Sequence, residues 1–427
     1  MKVPRLDREI GIEVYATGAQ GIGGAIRQFP EDFRVEEVLK DCSKAQIAPA
    51  AIPQINDRGR YLICVLVKRN IDTFLAVQKI AEKLGVDQER IQIAGIKDTR
   101  ALTAQHVSIG RMLPEQVTHV KFGNPWLHPL RFSNEKIHSN LLFGNQFRIT
   151  LRAINCSLSK IHERMEDVRK ELLEVGGSTN FFGHQRFGTT RPITHLVGKR
   201  ILLGEWEKAA LTFLARPSLH EHPESRQARE GLWNTEDYEE ALRYFPPKLV
   251  YEREMLNHLA KRPKDFLGAF YRLPKKLRQL FVQAYQSYLF NKFLSQRILR
   301  GLSLTQARSE EYKLVIDGKK CLAIPLIGYK QSVSMGEQGE IEKEILRIEE
   351  VTPKDFKIAA MPQISSPGGL RTVLTPLIGL RIEDPTKDDA NPKRKMVSLG
   401  FTLRKGSYAT IMLREFMKPS SPIRAGF

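Results

Sequence analysis

The sequence has few cysteines, and its histidines lack the spacing of a metal site. The cysteines are far apart and form no CxxC pair: Cys42, Cys64, Cys156 and Cys321. This pattern argues against a disulfide framework and against a cysteine-rich zinc site. The ten histidines include no HxxxH or HExxH pair, so we expect no metal and no metal-dependent chemistry.

Long apolar runs are also missing. No uninterrupted apolar segment approaches the roughly 20 residues that span a bilayer. The first residues, MKVPRLDREIGIEVYATG, carry too much charge for the apolar region of a signal peptide. We therefore expect a cytoplasmic protein that does not enter a membrane.

Positive charge, in contrast, is abundant. Lysine and arginine total 67 against 48 aspartate and glutamate, a formal charge of +19. Such an excess favours a polyanionic partner, either nucleic acid or an anionic membrane surface, although a merely soluble basic protein stays possible. The 427 residues, 41% of them apolar, suffice for two or three folded domains.

Strands and helices are both predicted in the first part of the chain, which indicates an α+β or α/β unit. Residues 61–68 (YLICVLVK) and 90–96 (RIQIAGI) predict strands, and the second strand runs directly into Asp98. Between them, residues 72–85 predict a helix with an aspartate cap and a terminal glycine. The expected buried side of this helix comprises Phe74, Val77, Ala81 and Leu84.

The pattern changes after Gly188, where helices replace the mixture of strands and helices, before strand-like segments return. The stretch SSPGGL, residues 365–370, is typical of a linker at that return. We therefore expect one α+β domain built from both ends of the chain, residues 1–189 and 366–427, with a mainly helical insertion at 190–365.

A glycine-rich segment near the start, TGAQGIGGAIR, resembles a phosphate-binding loop but is incomplete. It lacks the last glycine of GxGxxG, and Pro30 interrupts any long helix that could follow. A glycine-rich turn is the better interpretation. A dinucleotide-dependent dehydrogenase is thus a distant alternative, and no nucleotide cofactor is expected.

Asp98, in AGIKDTRALTAQ, lies between Lys97 and Arg100. It is either a solvated turn residue or a catalytic carboxylate that the adjacent cations keep ionised. The spacing alone names no reaction.

Two further segments combine aromatic and polar residues. NFFGHQRFG, residues 180–188, is either a core turn or a surface where aromatic rings and Arg186, with Gln185, meet RNA bases and phosphates. In KGSYATIMLREF, Gly406 and Ser407 predict a turn and a helix N-cap, and Tyr408 is either a core residue or a ligand contact.

Seven segments, in family order from residue 21 to residue 415, resemble the TruD family of tRNA pseudouridine synthases, in its archaeal type. They are GIGGAIRQFPEDFRVEEVL, AGIKDTRALTAQ, GNQFRITLR, NFFGHQRFG, AYQSYLFN, SSPGGLR and KGSYATIMLRE. The resemblance implies a pseudouridine synthase core with a mixed sheet and a central cleft, split by the helical insertion. It also implies a monomer that isomerises a uridine of tRNA, typically uridine 13 of the D arm, without a cofactor.

The resemblance also implies roles for individual residues. Asp98 matches the essential aspartate, and Arg27 matches a basic residue that pairs with it, more often lysine in bacterial members. Asn145 and Phe147 match an active-site Asn-x-Phe, and Tyr408 matches an aromatic position that packs on the target base. NFFG departs mildly from the commoner Asn-Tyr-Phe-Gly of the family.

The resemblance leaves two questions open. The carboxylate could attack C1′ of the ribose or remove its 2′ proton, and the sequence does not choose between them. A non-catalytic RNA-binding protein that kept the scaffold is the main alternative to an enzyme.

Overall fold

The structure, a computed structural model, describes residues 2–49, 53–55 and 57–427. The few remaining residues belong to the expected segment 1–189 and lie outside the described residues. In the described part of the chain, no helix is both long enough and apolar enough to cross a membrane.

The strands form one large mixed sheet and two small ones. They are β1 (Phe33–Leu39), β2 (Tyr61–Arg69), β3 (Ile91–Ile93), β4 (Leu102–Gly110), β5 (Trp126–Ser133), β6 (Leu142–Ile154), β7 (Ser178–Thr179), β8 (Lys313–Ile316), β9 (Lys319–Leu326), β10 (Gly369–Thr372), β11 (Leu374–Thr375), β12 (Ile378–Ile382), β13 (Thr386–Lys387) and β14 (Lys395–Arg404). The large sheet has the order β12-β14-β6-β1-β4-β2-β5, with β3 beside β4 and β13 beside β14. β1 and β4 run parallel, and the other pairs are antiparallel.

Most of the helices occur, along the chain, between strands β7 and β8. The helices are α1 (Arg5–Glu9), α2 (Thr73–Leu84), α3 (Pro114–Thr118), α4 (Leu158–Val175), α5 (Thr194–Leu202), α6 (Trp206–Leu214), α7 (Pro223–Thr235), α8 (Tyr238–Tyr244), α9 (Val250–Lys261), α10 (Phe266–Tyr271), α11 (Lys275–Leu299), α12 (Gly336–Ile348) and α13 (Ala409–Met417). The fold is therefore α+β, as predicted.

The middle of the large sheet is buried on both faces. Every position of β2 from Leu62 to Lys68 is buried, which explains the continuous apolar run at this strand. β1 and β14 instead alternate buried and partly exposed positions, so only one face of these strands is covered. α4 and α13 supply that cover and share a core with Phe147 and Phe401.

Helix α2 has the predicted position and part of the predicted face. The Asp72 carboxylate accepts a hydrogen bond from the Phe74 amide at 2.7 Å, and Gly85 ends the helix with φ of 64°. Phe74 itself is 54% exposed, so its assignment to the buried side was wrong. Val77 and Ala81 are buried as predicted, and Leu84 is partly buried. The buried residues are Thr73, Ala76, Val77, Ile80 and Ala81.

The region after Gly188 is mainly helical, as predicted, around the long buried helix α11. A small sheet of order β10-β9-β8 also lies here, and the sequence analysis missed it. The last two residues of the stretch expected to be a linker, Gly369 and Leu370, are the first two residues of strand β10 in this sheet. Ile10, Ile12 and Ile411 join the helical core, so both chain ends pack against it.

Candidate active site

Asp98 lies in the loop between β3 and β4. The expectation that a strand runs into it was wrong, because β3 ends at Ile93. Tertiary hydrogen bonds hold this loop instead. The buried Lys68 ammonium group donates to the Asp98 carbonyl at 2.6 Å, and the Lys97 amide donates to the Thr73 hydroxyl at 3.1 Å.

The Asp98 carboxylate forms an ion pair with Arg27. Arg27 Nη2 lies 2.8 Å from Asp98 Oδ1, and the two side chains are 13% and 28% exposed. Arg27 Nη1 also donates to the Gly426 carbonyl at 3.0 Å, and the guanidinium lies 4.0 Å from the centroid of the Phe33 ring. Burial lowers the pKa of Arg27, and the charge of Asp98 acts against that shift. The pair is therefore fixed in place but still accessible to a ligand.

The cations that flank Asp98 in the sequence do not pair with it. Lys97 turns away and forms a buried ion pair with Glu37, 2.6 Å from Nζ to Oε2. Glu37 Oε1 accepts from the His106 amide at 3.0 Å. Burial alone would raise the pKa of Glu37, but His106 and Lys97 outweigh burial and lower it. Arg100 is exposed, and the residue that forms the ion pair with Asp98 is Arg27.

Asn145 and Phe147 lie two residues apart on β6, so their side chains point to the same side of the strand. The Phe147 ring stacks on Phe401 with 5.3 Å between centroids and meets the edge of Phe33 at 6.1 Å. Phe33 thereby links Phe147 to the Arg27–Asp98 pair. Asn145 Oδ1 is buried and has no hydrogen-bond partner within the described ranges.

Tyr408 is the N-cap residue of α13, and Ser407, which was expected at that position, lies one residue earlier. The Ser407 hydroxyl instead bonds to that of Thr375 at 3.0 Å. The Tyr408 ring lies 6.1 Å from the ring of Phe182 and packs against the helical core. Burial raises the pKa of its hydroxyl, against the effect of Arg186.

NFFGHQRFG is largely a core segment. His184 is buried and its Nε2 lies 2.8 Å from Asp7 Oδ1, so its role is structural. Arg186 donates to the hydroxyl of Ser287 on α11 at 3.2 Å, and its guanidinium lies 5.9 Å from the centroid of the Phe182 ring. Gln185 is exposed. The structure thus groups Arg186 with Tyr408, while Arg27, Asp98 and Phe147 form a separate contact group.

Comparisons with known proteins identify the family of this chain. A family model described as tRNA pseudouridine synthase D (TruD) matches residues 9–319 and 304–416. The chain belongs to the TruD family. It is accordingly an isomerase, a tRNA pseudouridine synthase.

Relatives of the TruD family match along nearly the whole chain. One from Methanosarcina barkeri, named "Probable tRNA pseudouridine synthase D", is 37% identical over 448 residues, 98% of both chains. One of the same name from Methanopyrus kandleri is 40% identical over 380 residues, 88% of this chain and 90% of the relative. A crystal structure of a Methanosarcina mazei protein described as TruD superposes with a TM-score of 0.84 at 36% identity, covering 99% of this chain and 100% of that one.

Sequence reasoning missed three residues around this candidate site. Lys68, Thr73 and Glu37 hold the Asp98 loop or its neighbour Lys97 through contacts between distant parts of the chain. Of the three, only Lys68 could have been recognised from the sequence, because it is a lysine that follows directly on the apolar run of β2.

Proposed function

We propose that this chain converts uridine 13 of the tRNA D arm to pseudouridine, with Asp98 as nucleophile or general base and without a cofactor. The observation that carries the proposal is the Arg27–Asp98 ion pair at 2.8 Å, which is partly exposed and lies beside an aromatic cluster. We also propose that the enzyme is cytoplasmic and monomeric.

The bond-breaking and bond-forming steps require few protein groups other than a charged carboxylate. Pseudouridine formation breaks the N1–C1′ bond, rotates the uracil and rejoins it through C5, so no electrons are gained or lost. Asp98 would attack C1′ or remove the 2′ proton. Arg27 would balance the negative charge of the carboxylate in a site from which the substrate displaces water.

The detached uracil must also be retained while it turns. We assign this task to Tyr408 and Phe147, whose rings offer flat apolar surfaces, and to Asn145, whose buried amide oxygen could accept a hydrogen bond from the base. Gln185 and Arg186 would contact the RNA near Tyr408. A stacked base contributes about 1–3 kcal/mol per aromatic side chain.

The uridine must leave the folded tRNA before it can react, which costs a few kcal/mol. The formal charge of +19 would offset this cost through phosphate contacts. We propose that residues 1–189 and 366–427 form the catalytic domain and that residues 190–365 are an insertion domain, whose helices pack against it.

An unmodified tRNA transcript tests the proposal. After incubation with the enzyme, carbodiimide labelling and reverse transcription should give one new stop, at uridine 13. A stop at another position would refute the site assignment alone. Binding of the transcript without any new stop would favour the non-catalytic RNA-binding alternative.

Tyr408→Ala should slow the reaction far more than Tyr408→Phe. If the ring stacks on the base, its loss removes about 1–3 kcal/mol, or roughly 5- to 150-fold in rate, whereas loss of the hydroxyl leaves the stack intact. Single-turnover rates at saturating tRNA measure both variants, with thermal midpoints as the folding control. Equal losses in the two variants would contradict a stacking role.

A further inference from the structure

Lys68 is a buried lysine whose contacts are with the main chain. It is the penultimate residue of β2 and has 0% exposure, and its Nζ donates to the carbonyl oxygens of Asp98 at 2.6 Å, Ile71 at 2.9 Å and Lys97 at 3.3 Å. In the described residues, no carboxylate oxygen lies within 4.0 Å of this nitrogen. Burying an ammonium group in an apolar strand without a carboxylate partner costs free energy. The presence of Lys68 at this position therefore calls for an explanation.

The charged side chains that act on Lys68 lie in the segments that follow β2 and β3. Asp98 and Asp72 favour its protonated form, and Lys97, itself paired with Glu37, disfavours that form. Burial is the largest effect and lowers the pKa of Lys68 to about 8, from an ordinary value of 10.5. The group therefore titrates in a range where enzyme activity can be measured.

We propose that Lys68 is a positioning residue for Asp98. Its ammonium group holds the main chain of residues 97–98, so that the Asp98 carboxylate stays aligned with Arg27, and it adds positive charge beneath that carboxylate. This inference rests on the proposed catalytic role of Asp98.

The Asp98 loop needs such support because regular structure does not provide it. β3 ends at Ile93, and the side chains of Ile96, Thr99 and Arg100 are exposed. Besides Lys68, the hydroxyl of Thr73 holds this stretch, by bonding to Lys97. A reacting group displaced by about 1 Å can lose roughly 100-fold in rate.

Stability and activity should respond to pH in opposite directions. Since the folded-state pKa is lowered, the folded protein binds fewer protons at Lys68 than the unfolded chain between about pH 8 and pH 10.5. The contribution of Lys68 to the free energy of unfolding therefore rises with pH across this window. The positioning of Asp98 depends on the charged form and weakens across the same window.

The test compares Lys68→Met and Lys68→Gln with Lys79→Met, a matched change at an exposed position of α2. Single-turnover rates on a tRNA transcript are measured from pH 6 to pH 10, together with tRNA affinity, thermal midpoint and amide hydrogen exchange of the peptide 94–101. We expect Lys68→Met to lose about 100-fold in rate at pH 7, with unchanged tRNA affinity and with faster exchange in this peptide, while the thermal midpoint shows that the variant is folded. The rate of the unmodified enzyme should fall as pH rises through about 8, and this fall should be absent in Lys68→Met.

Each other outcome is decisive. A Lys68→Met enzyme that matches Lys79→Met in rate and in exchange overturns the inference. If the methionine variant fails to fold, Lys68→Gln, which keeps a hydrogen-bond donor without the charge, takes its place. If neither folds, an activity of the unmodified enzyme that stays constant to pH 10 overturns the inference, and a fall through pH 8 supports it. If the unmodified enzyme forms no pseudouridine, the proposed function fails, and exchange in peptide 94–101 alone decides whether Lys68 holds the loop.

Discussion

Asp98→Asn is expected to abolish pseudouridine formation while tRNA affinity stays within a few fold. The amide has the shape of the carboxylate and its oxygen can still accept a hydrogen bond from Arg27, so the loop should keep its structure. It cannot attack C1′ or take the 2′ proton at a useful rate, and the loss should be at least about 1,000-fold. Affinity depends mainly on phosphate contacts made elsewhere on a strongly basic surface.

Tritium release from C5-labelled uridine in tRNA measures this loss, and filter binding measures affinity. Asp87→Asn is the matched control, since Asp87 is an exposed aspartate that precedes the same strand, β3. Its turnover should equal that of the unmodified enzyme. Turnover of the Asp98→Asn variant comparable to that control would remove Asp98 from the chemistry.

The sequence was a good guide to elements that local patterns define. The apolar run at residues 61–68 is strand β2, and the capped helix at 72–85 is α2, within a residue of its predicted ends. The buried face of α2 was predicted only in part, because Val77 and Ala81 are buried whereas Phe74 is exposed. The position of the sheet decides which side of the helix is covered, and residue spacing does not give that position.

The environment of Asp98 was harder to predict because its contacts join distant parts of the chain. Lys97 and Arg100 are its sequence neighbours, but the backbone turns Lys97 towards Glu37, 60 residues earlier in the chain. The counter-ion comes from Arg27, which follows the glycine-rich segment and has a left-handed φ of 59°. Only the family resemblance indicated this partner, since residue spacing carries no information about such contacts.

The difference between the ion-pair partner Arg27 and the sequence neighbour Arg100 leads to a second large expected effect. Arg27→Met should impair catalysis, and Arg100→Met should not. Breaking a fully buried ion pair costs about 3–5 kcal/mol. Because 28% of the Asp98 side chain is exposed, water screens part of this loss, and we expect about 2 kcal/mol, or roughly 30-fold in rate at saturating tRNA. Arg100 is exposed and acts on Arg27 only as a like charge, so its loss should weaken tRNA binding at most.

Arg27→Lys separates charge from geometry in this pair. Lysine keeps a cation for Asp98 but cannot also reach the Gly426 carbonyl, which the second arm of the guanidinium binds at 3.0 Å. If charge is what Asp98 requires, Arg27→Lys should retain most of the rate that Arg27→Met loses, with a small decrease in thermal midpoint. Equal rates for Arg27→Met and Arg100→Met would instead mean that the Asp98 carboxylate reacts without a fixed counter-ion, and the ion pair would then be structural.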